Sequence, residues 1–113
     1  MPGYDQELVE RLREQLAGER GVTERVMFGG VAFMLDGNMC VGAMKGGDLM
    51  VRLATADEPA ALLEPHTRQM NFTGRPMVGW ILVAPSGFAT DADLAGWVSR
   101  GVQHVRTLPP KHK

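Results

Sequence analysis

Residues 27–53 follow a strand pattern, in which apolar runs are interrupted by two glycine-containing dipeptides. Asp36-Gly37 suits a two-residue turn whose central positions both take positive φ, and Gly46-Gly47 suits a second turn for the same reason. Apolar runs joined by such short turns are typical of β-hairpins. The pattern therefore predicts three consecutive antiparallel strands that are joined by two tight turns.

The two turns also predict which residues lie opposite each other in neighbouring strands. The first turn pairs Phe33 with Cys40, and the second pairs Met44 with Leu49. Successive side chains then point to opposite faces of the sheet. The face expected to form the main core carries Val31, Phe33, Leu35, Cys40, Gly42, Met44, Leu49, Val51 and Leu53. The second face carries Ala32, Met34, Met39, Val41, Ala43, Met50, Arg52 and the Lys45–Asp48 pair.

The second face of this predicted sheet is apolar at its centre and charged at one end. A sheet that faces water on one side carries more polar residues on that side. We therefore expect another part of the chain or a second subunit to cover this face. The candidate interface residues are Met34, Met39, Val41 and Met50.

Helical patterns lie at both ends of the chain. An apolar stripe with helical spacing is formed by Tyr4, Leu8, Leu12 and Leu16. Asp5 is the expected N-cap residue of this helix. A second amphipathic helix is expected to begin after Thr90, which forms a capping motif with Asp93, and to continue to about residue 107. The remaining predicted elements are strands at Thr23–Phe28, Arg68–Phe72 and Met77–Ala84, a short helix at Asp57–Glu64 and a turn at Thr73–Pro76.

This element order predicts an α+β fold. We expect a mainly antiparallel sheet of five to six strands, an N-terminal helix, a short middle helix and a long C-terminal helix. Gly29-Gly30 interrupts the strand pattern and is expected to mark a bulge or a close backbone approach. The chain of 113 residues should form one domain, 1–113, that ends in a flexible tail at 108–113.

The composition of the chain argues against several classes of protein. The formal net charge of −1 argues against a dedicated electrostatic grip on nucleic acid, although a local basic patch stays open. A single cysteine, Cys40, excludes an internal disulfide and is expected to be buried. No apolar run reaches the length of a membrane span and no signal-peptide pattern is present, so a cytoplasmic protein without a membrane partner is expected.

One group of residues is a candidate contact site for an anion or a partner. It consists of Arg52, His66, Arg68, Arg75 and Trp80. Guanidinium groups suit carboxylates and phosphates. If the strands Arg68–Phe72 and Met77–Ala84 pair across the turn at Gly74, both arginines should lie close to that turn. Ordinary surface arginines in a solvated loop are the alternative interpretation.

The sequence contains no recognisable catalytic, cofactor-binding or metal-binding motif. None of the three histidines has metal-ligand spacing with another histidine or with Cys40. Met34, Met39, Met44 and Met50 could suggest a soft-metal site, but core packing or an adaptable interface explains them better. We therefore expect no enzyme activity, no cofactor and no metal.

Four segments form a recognisable series along the chain: MFGGVAFMLDGNM, LMVRL, PHTRQMNFTGRPMVGW and LPPK. Together they resemble the N-terminal domain of the TfoX/Sxy family over nearly the whole chain. The resemblance implies an α+β fold shared with MmcQ/YjbR-like proteins. It also implies a regulatory role, because founding members regulate competence genes together with a cyclic-AMP receptor transcription factor. It supplies no catalytic residues.

The leading hypothesis is a non-enzymatic regulatory or interaction module. Such a module would form a homodimer or other homo-oligomer, or would bind a protein partner such as a transcription factor. One alternative is a direct nucleic-acid-binding protein that uses a local basic patch formed by Arg52, Arg68, Arg75 and Lys111–Lys113. The other alternative is a small-anion or ligand-binding domain.

Overall fold

A computed structural model describes residues 5–27, 29–72 and 75–111, with the backbone alone for residues 72, 75 and 76. Within these residues, six strands form one antiparallel sheet in the order β1-β2-β3-β4-β6-β5. The strands are β1 (Val22–Met27), β2 (Gly30–Leu35), β3 (Asn38–Ala43), β4 (Leu49–Arg52), β5 (Thr67–Phe72) and β6 (Arg75–Val83). The helices are α1 (Gln6–Gln15), α2 (Glu58–Ala61) and α3 (Asp91–Val105). The predicted α+β fold is confirmed.

The helix starts follow the predicted caps. The Asp5 side chain accepts a hydrogen bond from the Glu7 backbone N–H, and the Thr90 hydroxyl accepts one from the Asp93 N–H at 3.1 Å. The middle helix is shorter than predicted at both ends. Asp57 belongs to a 3₁₀ turn over Thr55–Asp57, and after Ala61 the N–H groups of Leu63 and Glu64 donate to carbonyl oxygens three residues back. Tyr4, Phe28, Thr73, Gly74, His112 and Lys113 lie outside the described residues.

The first hairpin confirms its predicted turn but not its whole register. Asp36 and Gly37 both have positive φ, at 50° and 85°, and Leu35 lies opposite Asn38. Beyond Met34, Phe33 lies opposite Val41 rather than Cys40, because Cys40 is an extra residue in β3. Such a β-bulge shifts every later pair by one position.

The second hairpin differs from its prediction in the same way. Ala43, not Met44, lies opposite Leu49. The connection therefore has three residues, Lys45 to Gly47, closed by a hydrogen bond of 2.8 Å from the Met44 N–H to the Asp48 carbonyl oxygen. Both glycines have positive φ, so the longer loop is as accessible to them as the predicted two-residue turn.

These shifts correct the predicted faces at four positions. Val41 and Ala43 belong to the main core and are fully buried. Met44 packs with the methionines of the second face, and Gly42 lies opposite Met50. Because of the bulge, Cys40 and Val41 both belong to the main core although they are neighbours in sequence.

The main core lies between one face of the sheet and the three helices. Strand residues such as Phe33, Val51 and Ile81 pack there against apolar residues of the helices. The helical contributors are Leu8, Val9, Leu12, Ala61, Leu94, Trp97, Val98 and Val105. All three helices thus cover the same face of the sheet.

The C-terminal segment is attached to the β2–β3 turn through Lys111. The buried Asn38 amide donates a hydrogen bond to the Pro109 carbonyl oxygen at 2.9 Å, and the Lys111 N–H donates one to the Asp36 carbonyl oxygen at 2.7 Å. Arg106 forms ion pairs with Asp36 and Glu19, both at 3.0 Å. Within the segment 108–113, Pro109 and Lys111 thus have defined contacts, and the flexibility of the tail stays a prediction.

Gly30 should be sensitive to a single added methyl group. A Cβ at this position would overlap the Ala43 carbonyl oxygen and lie 2.9 Å from the Met44 Cα. We expect Gly30→Ala to lower the free energy of unfolding by about 1–3 kcal/mol, as overpacking usually does. Urea unfolding measures this change.

Gly96→Ala is the matched control, because a Cβ at Gly96 in α3 would meet nothing within 4 Å. It should raise stability by up to about 1 kcal/mol, through helix propensity alone. Equal stability of the two variants would contradict the close approach at Gly30.

Candidate protein interface on the open face of the sheet

The face of the sheet opposite the helices is covered by no helix of the described residues. We call it the open face. Its residues are Thr23, Arg25, Met27, Ala32, Met34, Met39, Gly42, Met44, Met50, Arg52, Arg68, Met70, Met77, Trp80 and Leu82. One row crosses all six strands, from Arg25 through Met50 to Arg68.

Seven of the eight methionines of the chain belong to the open face. Met44, Met50 and Met70 are buried against one another, and the other four are half-buried. Met50 is fully buried because it lies over small residues: its methyl carbon is 3.4 Å from where a Cβ of Gly42 would be. The methionines thus cover part of the face themselves, without a second layer of helices.

A concave region of ≈ 730 Å³ occupies one side of the open face. Its apolar residues are Met27, Met34, Met39 and Trp80. Arg25, Arg52 and Lys111 line it as well, so that apolar and cationic groups share one concavity. This combination of an apolar floor with a polar rim is typical of protein interfaces.

Arg52 and Trp80 form one unit within this concavity. They lie opposite each other in β4 and β6, and the guanidinium carbon of Arg52 is 4.9 Å from the centroid of the Trp80 ring. This cation–π contact holds the guanidinium group against the ring. The structure therefore brings together two of the predicted contact residues.

The cations of the concavity are not neutralised by carboxylates in the described part of the chain. Arg25, Arg52 and Lys111 take part in none of the ion pairs found there. Glu24, which also lines the concavity, accepts two hydrogen bonds of 2.8 Å from Arg13. These hydrogen bonds lower the pKa of Glu24. The concavity is therefore electropositive.

The other predicted contact residues do not join this unit. Arg68 lies opposite Leu82 and pairs with Asp48, whereas Phe72 and Arg75 are paired beside the β5–β6 turn. The expectation that both arginines lie close to this turn therefore holds for Arg75 and is wrong for Arg68. The Arg75 side chain lies outside the described residues. His66 is exposed just before β5, with φ at 69°, at the end far from that turn.

The candidate interface residues have different environments. Met34 and Met39 are half-buried on the open face, as a contact surface requires. Met50 is on the same face but fully buried, so it supports its neighbours instead of offering surface. Val41 was assigned to the wrong face and belongs to the main core.

A second concave region of ≈ 460 Å³ lies beside α2 and α3. It is lined by apolar residues and by Asp57, Glu64, Arg100, Gln103 and His104. Arg100 forms an ion pair with Glu64 at 2.6 Å and lies over the Trp97 ring, so its positive charge is already neutralised by a carboxylate. Burial lowers the pKa of His104, and the positive charge of Arg52 acts in the same direction. The spacing of the histidines did not predict this region.

Neither the cysteine nor a cluster of metal-ligating side chains forms a reactive site in the described part of the chain. Cys40 is fully buried, and burial raises the pKa of its thiol to about 12. Among the described residues, no cluster of three or more His, Cys, Asp or Glu side chains could hold a metal ion. In the same residues, no helix is long and apolar enough to cross a bilayer.

Fold and open face together define an α+β domain with a one-sided layer of helices. Residues 14–105 match the family model of the TfoX N-terminal domain, which covers most of the chain. The protein therefore belongs to the TfoX N-terminal domain family. No curated protein and no solved structure matches it significantly.

Cys40 should resist alkylation in the folded protein. At about pH 8 a thiol with a pKa near 12 is almost wholly protonated, and only the thiolate reacts. In the unfolded chain the thiol has its ordinary, lower pKa. The burial of the neutral thiol therefore contributes fully to the stability of the fold below this ordinary pKa, and the contribution is lost as the pH rises from there to about 12. Mass spectrometry after iodoacetamide treatment, with and without denaturant, measures the labelling. Rapid labelling without denaturant would contradict the buried position.

Proposed function

We propose that this protein is a non-catalytic regulatory module that binds a protein partner through the open face of its sheet. The observation that carries the proposal is the concave, methionine-lined surface left uncovered by all three helices. Membership of the TfoX N-terminal domain family supports a regulatory type of module.

The side chains of the open face suit a protein partner. Methionine is unbranched and polarisable, so its side chain adapts to the shape of an incoming apolar group. Four half-buried methionines and Trp80 can therefore repack around a partner without unfolding the sheet. Buried Met44, Met50 and Met70 support them from below.

Direct binding of nucleic acid is less well supported. The chain has a formal net charge of −1, and Arg68 is already paired with Asp48. Trp80 carries the Arg52 guanidinium over its ring, so that this side of the indole is not available for stacking with a base. Of the two arginines of the suggested basic patch whose side chains are described, Arg68 is thus already neutralised, and Arg52 remains.

Photo-crosslinking tests the proposal in the cells that produce the protein. The photoreactive residue p-benzoylphenylalanine replaces Met34 on the open face, or Glu14, which is exposed on α1, as the matched control. After irradiation and nuclease treatment, the Met34 variant should give adducts with protein, and the Glu14 variant should give markedly fewer. Gel electrophoresis and mass spectrometry of the adducts measure the difference.

Two outcomes would contradict the proposal. Equal adduct yields from both positions would show that the open face is not the binding surface. Adducts that disappear with nuclease would identify nucleic acid as the partner. An adduct between two copies of the chain would keep the module but make the partner a second copy.

A further inference from the structure

We infer that the partner of the open face contributes an acidic segment with bulky apolar side chains, held by Arg25, Arg52 and Lys111 above the methionines. This inference rests on the proposed function and adds the chemistry of the partner. Its basis is the pairing of two kinds of group in one concavity: apolar side chains in the floor and uncompensated cations around them.

The apolar part of the segment is inferred from the floor. Met27, Met34, Met39 and Trp80 are each half-buried, so each keeps apolar surface that a partner can remove from water. The region of ≈ 730 Å³ that they line is large enough to take bulky side chains. Ala32 and Gly42 lie opposite each other next to this floor, and their small size leaves space above the middle of the sheet.

The acidic part is inferred from the cations. Arg25 is on the edge strand β1, Arg52 is on β4, and Lys111 follows α3, so positive charge reaches the concavity from three parts of the fold. No carboxylate of the described residues pairs with any of them. At the other end of the face, Asp48 already pairs with Arg68. Of the five described arginine and lysine side chains without an ion pair, three therefore line the concavity, and the other two are Arg20 and Lys45.

Arg52 is well prepared to bind a carboxylate. Its guanidinium group lies against the Trp80 ring, which restricts its rotamers before a partner arrives. A planar guanidinium group can donate two parallel hydrogen bonds to a carboxylate. Because the group is already ordered, less conformational entropy is lost on binding.

A second copy of the same chain fits this surface poorly. In a symmetric dimer the same patch meets itself, so the Arg25, Arg52 and Lys111 groups of two copies would share one interface. Like charges brought together in this way oppose binding. An acidic segment of another protein supplies the opposite charge. Charge complementarity therefore favours a different protein over self-association.

A pair of synthetic peptides tests the inference on the full chain. Both peptides carry the same leucine and phenylalanine residues, with glutamate at the polar positions of one and lysine at those of the other. The methionine methyl groups are isotope-labelled and observed by NMR during titration. The acidic peptide should shift the methyl signals of Met34 and Met39 and bind at least about tenfold more tightly than the basic peptide.

Charge reversal identifies the cations that hold the segment. Arg25→Glu and Arg52→Glu should each weaken binding of the acidic peptide by about threefold to tenfold, and the double variant should prefer the basic peptide. Arg20→Glu is the matched control, because Arg20 is exposed before β1, outside the open face, and undergoes the same charge change. It should alter affinity by less than about twofold.

Arg52→Gln serves as a second variant if Arg52→Glu is poorly folded, with the methyl spectrum of the free protein as the check. It should still weaken binding of the acidic peptide. Equal binding of the two peptides, an effect of Arg20→Glu as large as that of Arg25→Glu, or displacement of the acidic peptide by duplex DNA would overturn the inference. These results concern the chemistry of the partner only. The proposed function is tested by the crosslinking experiment at Met34, so the two proposals can fail independently.

Discussion

The close approach of α3 to β3 is the contact on which the arrangement of the two faces depends. A Cβ on Gly101 would lie 3.2 Å from the Cys40 carbonyl oxygen, the Cys40 Sγ and the Val41 Cγ1, so only glycine lets the helix come this near without displacement. The contact falls at the bulge, where both Cys40 and Val41 join the main core. Helix and bulge thus fit each other, and Met39 is left on the opposite face.

All the helices lie on one side of a sheet that has apolar residues on both faces. On the open face, methionine side chains cover part of the apolar surface in place of a helix. Met50 lies across Gly42, and Met44 and Met70 pack beside it, so the centre of the face is dry within the chain itself. Toward β1 this self-cover ends, and Met34 and Met39 remain half-buried. The apolar surface exposed on this side therefore lies beside the cations, while Met77 and Leu82 remain half-buried on the β6 side of the face.

Patterns of neighbouring residues predicted most of the helices, strands and turns. They did not predict contacts between residues that are far apart in the sequence. The Asp5 and Thr90 caps and the Asp36-Gly37 turn are encoded in neighbouring residues, and the structure contains all three. The bulge at Cys40 is not, because alternation of apolar residues looks the same with or without an extra residue. The Arg52–Trp80 pair needs β4 to lie beside β6, which periodicity does not reveal. For the same reason the methionines of β5 and β6 were not assigned to the open face.

An exposed apolar face is also a risk for self-association, and the cations bear on this risk. Apolar contact alone would not distinguish a partner from a second copy of the chain, because methionine adapts to either. In the proposed interface, charge would distinguish them, since Arg25, Arg52 and Lys111 would repel the same groups on another copy and attract carboxylates. The methionines would then supply most of the binding energy, and the cations would supply the choice of partner. In the proposed complex this division gives a role to the unpaired arginines beside the apolar floor, where they would otherwise only oppose burial.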